Sequence, residues 1–131
     1  MNHVVIDTNV LVSSILTPKG NPAQIMTLIS FKELQLFYSS EIIDEYSRVL
    51  AYEKLNIPLR AQNHTIEGIK MLGVLIAPTI STIPMPDETD RIFYDAAIAS
   101  GSILITGNTN HFPIEPFIMT PSQFLQKWAA V

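Results

Sequence analysis

The stretch Val4-Val5-Ile6-Asp7-Thr8-Asn9-Val10-Leu11 decides how this chain is read. A short apolar run ends in an acid, a hydroxyl and an amide, and the sequence then turns apolar again. An unpaired carboxylate at the end of a buried strand is costly unless a charged or hydrogen-bonding group meets it. In an open α/β sheet that same end of the strand is where ligands bind. Asp is also a preferred N-cap, so Asp7 equally fits the start of the next helix. Both readings stand on these eight residues, and the rest of the chain has to separate them.

Working outward, short apolar runs alternate with amphipathic ones. Val4–Ile6 reads as the first strand. Residues 22–31 read as a helix with Pro22 near its start and Ile25, Leu28 and Ile29 on one face. Leu34–Tyr38 reads as the second strand. Ile42, Ile43, Tyr46, Val49 and Leu50 mark the apolar face of a second helix, and another is expected over Leu59–Leu72. Val74–Ile76 is a strand stopped by Pro78. After the turn-rich segment 84–87, Ile92, Phe93, Ala96 and Ala97 give a helix that Gly101 ends. Ile103–Ile105 is a fourth strand and Phe117–Met119 a fifth. Thr120-Pro121-Ser122-Gln123 has the form of a capping box for a last helix through Phe124, Leu125 and Trp128. Continuous apolar strands alternating with helices predict an α/β fold, with a mainly parallel sheet of four to five strands covered on both faces.

Composition narrows the chemistry. The chain has 131 residues, 47% hydrophobic and 15% charged, with no cysteine and a net charge of -4. This fits one domain over residues 1–131 with a substantial core. It excludes disulfides and thiolate zinc sites, and it argues against gripping nucleic acid by a broad basic surface. No basic-then-apolar leader and no apolar run of membrane-spanning length is present, so the chain reads as soluble and cytoplasmic, with no membrane partner.

The acids are few, 12 in all, and their placement is informative. Asp7 ends the first strand. Glu41, Asp44 and Glu45 lie on the polar side of the helix after the second strand. Asp87, Glu88 and Asp90 stand at the start of the helix before the fourth strand, with Asp95 further along it. In a parallel sheet such positions converge on one edge. Clustered carboxylates must be protonated or bind a cation, and all-oxygen ligation points to Mg²⁺ or Mn²⁺. Such an ion activates water and neutralises a phosphate, which suggests phosphodiester chemistry. Each group also has a plainer reading. Glu41, Asp44 and Glu45 fit a solvated helix face, and Asp87 and Asp90 fit helix caps that favour the dipole by about 0.3–1 kcal/mol each. Asp95, well round the helix from Asp90, reads as a supporting or structural acid. The exit from the fourth strand, Thr106-Gly107-Asn108-Thr109-Asn110-His111, offers small polar groups. It also fits an ordinary strand-to-loop turn, and His111 reads either as a base or, as is commoner for a lone loop histidine, as a surface or packing residue. A phosphatase using Asp7 as nucleophile is disfavoured, since Asn9 stands where such sites carry a second acid.

Taken together, these residues resemble the PIN domain family of metal-dependent ribonucleases. Asp7-Thr8-Asn9-Val10-Leu11-Val12, Gly20-Asn21-Pro22-Ala23, Ser40-Glu41-Ile42-Ile43-Asp44-Glu45-Tyr46, Asp87-Glu88-Thr89-Asp90-Arg91 with Ala96-Ala97 and Gly101, and Leu104-Ile105-Thr106-Gly107-Asn108 are similar to its successive motifs. Thr120-Pro121-Ser122-Gln123-Phe124-Leu125 looks like the closing segment of the branch of toxin components of toxin–antitoxin systems, the VapC-like ribonucleases. The resemblance implies a three-layer α/β/α sandwich, a bound Mg²⁺ or Mn²⁺, and cleavage of single-stranded RNA. It further implies an antitoxin protein as partner and a homodimer. By position Asp7, Glu45 and Asp90 match the family's core acids, with Asn108 as a fourth metal-site residue and Asp87, Asp95, Asn9 and Thr106 in accessory places. Asp90 is preferred to Asp87 on its distance to Gly101. Arg48 and Arg91, close in sequence to these acids, are the expected phosphate-binding cations. Many relatives carry an acid where this chain has Asn108, which leaves open a PIN-like binding module as the alternative function.

Overall fold

The computed structural model describes residues 2–130. Five parallel strands form one sheet: β1 (His3–Ile6), β2 (Gln35–Tyr38), β3 (Val74–Leu75), β4 (Ile103–Ile105) and β5 (Ile118–Met119), in the order β3-β2-β1-β4-β5. The helices are α1 (Thr8–Leu16), α2 (Asn21–Ser30), α3 (Ser40–Leu50), α4 (Leu59–Leu72), α5 (Arg91–Ser100) and α6 (Pro121–Ala129). The α/β class and the flanking of the sheet by helices are as the alternating pattern predicts.

β1 lies at the centre because it can be buried on both faces. Val4, Val5 and Ile6 are all within 1% of full burial, which requires cover above and below. α5 packs across β1, β2 and β4, while α6 covers β5 and leans on α2. The largest fully buried side chains include Tyr46, Tyr94, Phe93 and Phe124. β3 departs from the expected buried run. Val74 and Leu75 are both exposed, because β3 sits at the sheet edge and pairs only with β2. Backbone pairing runs one residue further, with the Ile76 N–H donating to the Tyr38 carbonyl at 2.8 Å.

Local chemistry sets the ends of the helices. Ser39 caps α3 by accepting from the Ile42 N–H at 3.2 Å. Thr120 and Gln123 form the expected reciprocal capping box at α6. Gly101 ends α5 at φ 62°, a left-handed conformation that costs glycine least.

The chain order makes one crevice. β1 leads to β2 and then β3 on one side, and the chain then returns to place β4 and β5 on the other. The reversal falls between β1 and β4. Connections diverge there and open a crevice at the C-terminal ends of the strands. Asp7 follows β1 and Thr106 follows β4.

Candidate metal centre

Asp7 is 5% exposed, and both of its oxygens are engaged. Oδ1 accepts from the Thr8 N–H at 2.7 Å, and Oδ2 accepts from the Thr106 hydroxyl at 2.7 Å. The Asp7 N–H itself donates to the Ile105 carbonyl at 2.9 Å. The capping reading of Asp7 holds, and the residue also occupies the strand end where ligands bind in such sheets. It stands at the switch point, tied across the crevice to β4. Burial pushes its carboxyl up from the ordinary value, and nearby Glu45 adds to the shift. The Thr106 and Thr8 hydrogen bonds oppose it.

Glu45 is brought to Asp7 by one residue. The Thr8 hydroxyl donates to Glu45 Oε2 at 2.6 Å. α3 is held there by Tyr46, fully buried, whose hydroxyl donates to the Ile6 carbonyl immediately before Asp7. Burial, with Asp7 and Glu45 nearby, pushes the Tyr46 hydroxyl well above its usual range, so it remains a donor. The periodic apolar face placed Tyr46 in the core, but its hydroxyl's task was not legible.

Asp90 enters from the start of α5. A 3-10 turn, Glu88–Asp90, precedes the helix, and Asp87 caps that turn by accepting from the Thr89 N–H and hydroxyl at 3.0 and 2.7 Å. Those bonds hold the Asp87 carboxyl below its ordinary value. Asp90 is in the opposite state. Its side chain is 14% exposed, and Oδ2 is buried with no hydrogen-bond partner. Burial, then repulsion from Asp7 and Asp87, pushes its carboxyl up to about 6, with His111 offering partial relief.

A cleft of about 490 Å³ joins Asp7 to Asp90, while Glu45 stands behind its lining on Thr8. Asp7, Thr8, Asn9, Asp87, Asp90 and His111 line it. Among the described residues, the tight group of candidate ligands is Asp87, Asp90 and His111, whose ligand atoms lie within 4.8 Å of one another. His111 Nδ1 is 3.4 Å from Asp90 Oδ2. The sequence allows His111 as a base or as a surface or packing residue; the 3-10 turn Thr109–His111 leaves it half exposed and places it on the acid cleft. The signal available was its place just beyond the β4 exit loop.

The remaining positions are placed as follows. Thr106 is fully buried and also accepts from the Asn108 N–H at 3.1 Å. Asn9 Oδ1 accepts from the Gly107 N–H at 3.3 Å, closing the two loops on each other. Asn108 turns its Oδ1 to the Asn110 N–H at 3.2 Å, and its Nδ2 lies 2.9 Å from His111 Nε2. Asp95 points elsewhere: its Oδ2 accepts from the Ser81 N–H at 3.1 Å. Glu41 meets Ser40 at the surface.

The expectation that Arg91 awaits phosphate is overturned. Its guanidinium donates to both oxygens of Glu88 at 2.8 and 2.7 Å, to the Ser81 carbonyl at 2.9 Å and hydroxyl at 2.8 Å, and to the Ile83 carbonyl at 2.7 Å. Every fork of the guanidinium is spent on strapping residues 81–83 to α5. Arg48 is 60% exposed and remains at the cleft margin.

The donor set fits a hard divalent cation. The buried Oδ2 of Asp90 has no hydrogen bond and only the His111 imidazole as a facing base, and carboxylates that raise one another's pKa are relieved by an ion.

Comparison with known sequences supplies the family. The PIN domain profile matches residues 3–110. The chain belongs to the PIN domain family. A relative in Methanocaldococcus jannaschii, itself an uncharacterized protein, is 32% identical over 108 residues, spanning 80% of this chain and 70% of its own. PIN domains are in general metal-dependent nucleases, and this chain carries an acidic cluster that could hold a metal ion. No helix among the described residues is long and apolar enough to cross a membrane.

Proposed function

We propose that this PIN domain is a ribonuclease that cleaves single-stranded RNA with Mg²⁺ or Mn²⁺, as the toxin component of a toxin–antitoxin pair acting in the cytoplasm. The observation that carries the chemistry is the orphaned Oδ2 of Asp90 in a cleft of mutually repelling acids. Asp7, Glu45 and Asp90 would hold the ion, with Asp87 and Asn108 at its margin. When bound, the ion supplies positive charge to a scissile phosphate and acidifies water.

The chain's own residues do the positioning. Thr106 and the Thr8 N–H fix the Asp7 carboxylate, and the Thr8 hydroxyl fixes Glu45. His111, beside Asp90, is placed to hold or release a proton at Nδ1 next to the cleft. The toxin assignment, an antitoxin partner and a homodimer rest on the motif resemblance, above all the closing segment at residues 120–125. One observation favours the second reading, a weakened binding module. The fourth corner of the site is an amide, Asn108, whose oxygen is already given to the Asn110 N–H.

The test is hydrolysis of a labelled single-stranded RNA in Mn²⁺ against an EDTA control, with melting followed in parallel. Cleavage that EDTA abolishes, together with a Mn²⁺-dependent rise in Tm, is the expected result. A Tm rise without cleavage over a range of RNAs selects the binding module.

A further inference from the structure

The acid cleft has a second wall that metal chemistry does not use. It is built where α3 ends, from Val49, Tyr52, Lys54 and Leu55. Tyr52 is 39% exposed, with its ring on the cleft. Its hydroxyl is not free: Arg48 Nη1 donates to it at 2.6 Å. The other arm of Arg48 reaches Glu45 Oε1 at 3.3 Å. Lys54 Nζ stands 5.9 Å from the ring centroid. Glu45, Arg48 and Tyr52 thus form one connected line, at i, i+3 and i+7, from a site acid to an exposed aromatic ring.

Charge makes this wall significant. The chain has 8 Lys and Arg against 12 acids. An acidic protein cannot collect a polyanion by a diffuse field, so attraction has to be local. Arg91 is consumed by its strap. Lys54 lines the cleft itself, and Arg48 adjoins it through Tyr52.

We propose that Tyr52, with Lys54 and Arg48, forms a subsite that stacks one unpaired nucleobase and contacts its flanking phosphates, beside the acids Asp7 and Asp90. The inference rests on the ribonuclease reading above. An aromatic face stacks any base, so the subsite favours single strands without choosing a sequence. A duplex keeps its bases stacked on one another and offers none to the ring. The Arg48 bond restrains the tyrosine before RNA arrives, so less freedom is lost on binding.

The experiment combines steady-state cleavage in Mn²⁺ with anisotropy of a fluorescein-labelled, mixed-sequence, ten-nucleotide single-stranded RNA. Tyr52→Ala and Tyr52→Leu should raise KM and Kd roughly five- to tenfold, with kcat near wild type. Tyr52→Phe, which keeps the ring but loses the Arg48 bond, should fall between wild type and Tyr52→Ala. Lys54→Ala should weaken binding and lessen its salt dependence. The Mn²⁺-dependent rise in Tm should persist in all four. A duplex of the same sequence should compete poorly. If wild type cleaves the RNA but both Tyr52→Ala and Tyr52→Leu keep its KM and Kd, or the duplex competes equally, the subsite is overturned and the nuclease reading survives. If wild type neither cleaves nor binds the RNA, the nuclease reading falls and takes the subsite with it.

Discussion

Asp90 and Asp95 stand on adjacent turns at the start of one helix, and their surroundings are opposite. Each has one buried oxygen without a hydrogen-bond partner. Around Asp90 the neighbours are mainly other carboxylates, from Asp7, Asp87 and Glu45, offset in part by the His111 imidazole. Around Asp95 they are the Ser81 N–H and the nearby Arg91 guanidinium. Ser81 is held on three atoms: its N–H by Asp95, and its carbonyl and hydroxyl by Arg91. That strap anchors the segment that runs on to Asp87 and Asp90. One end of α5 thus concentrates negative charge at a crevice, and its neighbouring face neutralises charge to fix a loop. The difference shows that burial of an acid does not by itself mark a site. The sign of its company does.

The contrast breaks most sharply by mutation. Asp90→Asn should lower Mn²⁺-dependent RNA cleavage about 100-fold, since even the outer partners of metal ligands commonly cost about 10–100-fold. Without metal its Tm should stay level or rise, because a repulsion has gone. Asp95→Asn should retain most of the cleavage. Equal losses in the two variants, read in one assay, would erase the distinction drawn here.

Stability should show the reverse order. Asp95→Ala strands the Ser81 N–H, which costs about 1–3 kcal/mol and should lower Tm in the metal-free protein. Arg91→Ala should lower Tm as well, and the double variant should lose less than the sum, since both act on Ser81. Strict additivity in thermal melts would show that the two side chains do not share a strap.

The frame of this fold was legible because strands and helices announce themselves by period. The α4 boundaries, the capping box at Thr120 and the stop at Gly101 all follow from local chemistry. The positions of Asp7 and Asp90 followed from topology, since the ends of parallel strands converge. What could not be read was the pairing of side chains across the crevice. Thr8 with Glu45, Tyr46 with Ile6 and His111 with Asp90 link residues 37, 40 and 21 apart, and no period carries such a contact. Arg91 was misplaced for the same reason. Its charge is visible in the sequence, but the loop that consumes it is not. The exposure of β3 was hidden because an apolar run does not say whether its strand lies at the edge.

The pH dependence sharpens the comparison with a smaller effect. Asp90 has a carboxyl pKa of about 6 in the folded chain against an ordinary 3.8. The native state holds this proton more tightly than the unfolded chain does. Its contribution is therefore fully present below about pH 4 and is lost as pH rises through about 6. Asp7, also shifted upward, acts in the same direction. Metal-free wild type should fall in Tm relative to Asp90→Asn between pH 4 and pH 7, and saturating Mn²⁺ at pH 7 should close the gap. A constant difference across that range would show that the Asp90 carboxyl titrates normally.

The smallest effect is expected at Asn108, where the cleft meets the β4 exit loop. Its Oδ1 caps the 3-10 turn through Asn110, and its Nδ2 touches His111. Asn108→Asp preserves the acceptor for Asn110, so the turn should hold its shape. It adds a negative charge beside His111, on the side of the cleft already occupied by Asp90. A carboxylate is a stronger ligand than an amide for a hard cation. The Mn²⁺-dependent rise in Tm should therefore grow, and Mn²⁺ affinity measured by calorimetry should tighten several-fold. Without metal the variant should melt lower than wild type, because one more acid joins the repulsion. The two shifts have opposite signs, which separates a change at the ion from a general change in the loop. Unchanged Mn²⁺ affinity with a lower metal-free Tm would place Asn108 in the turn alone. The ion would then be left to Asp7, Glu45 and Asp90, with Asp87 and His111 at their side.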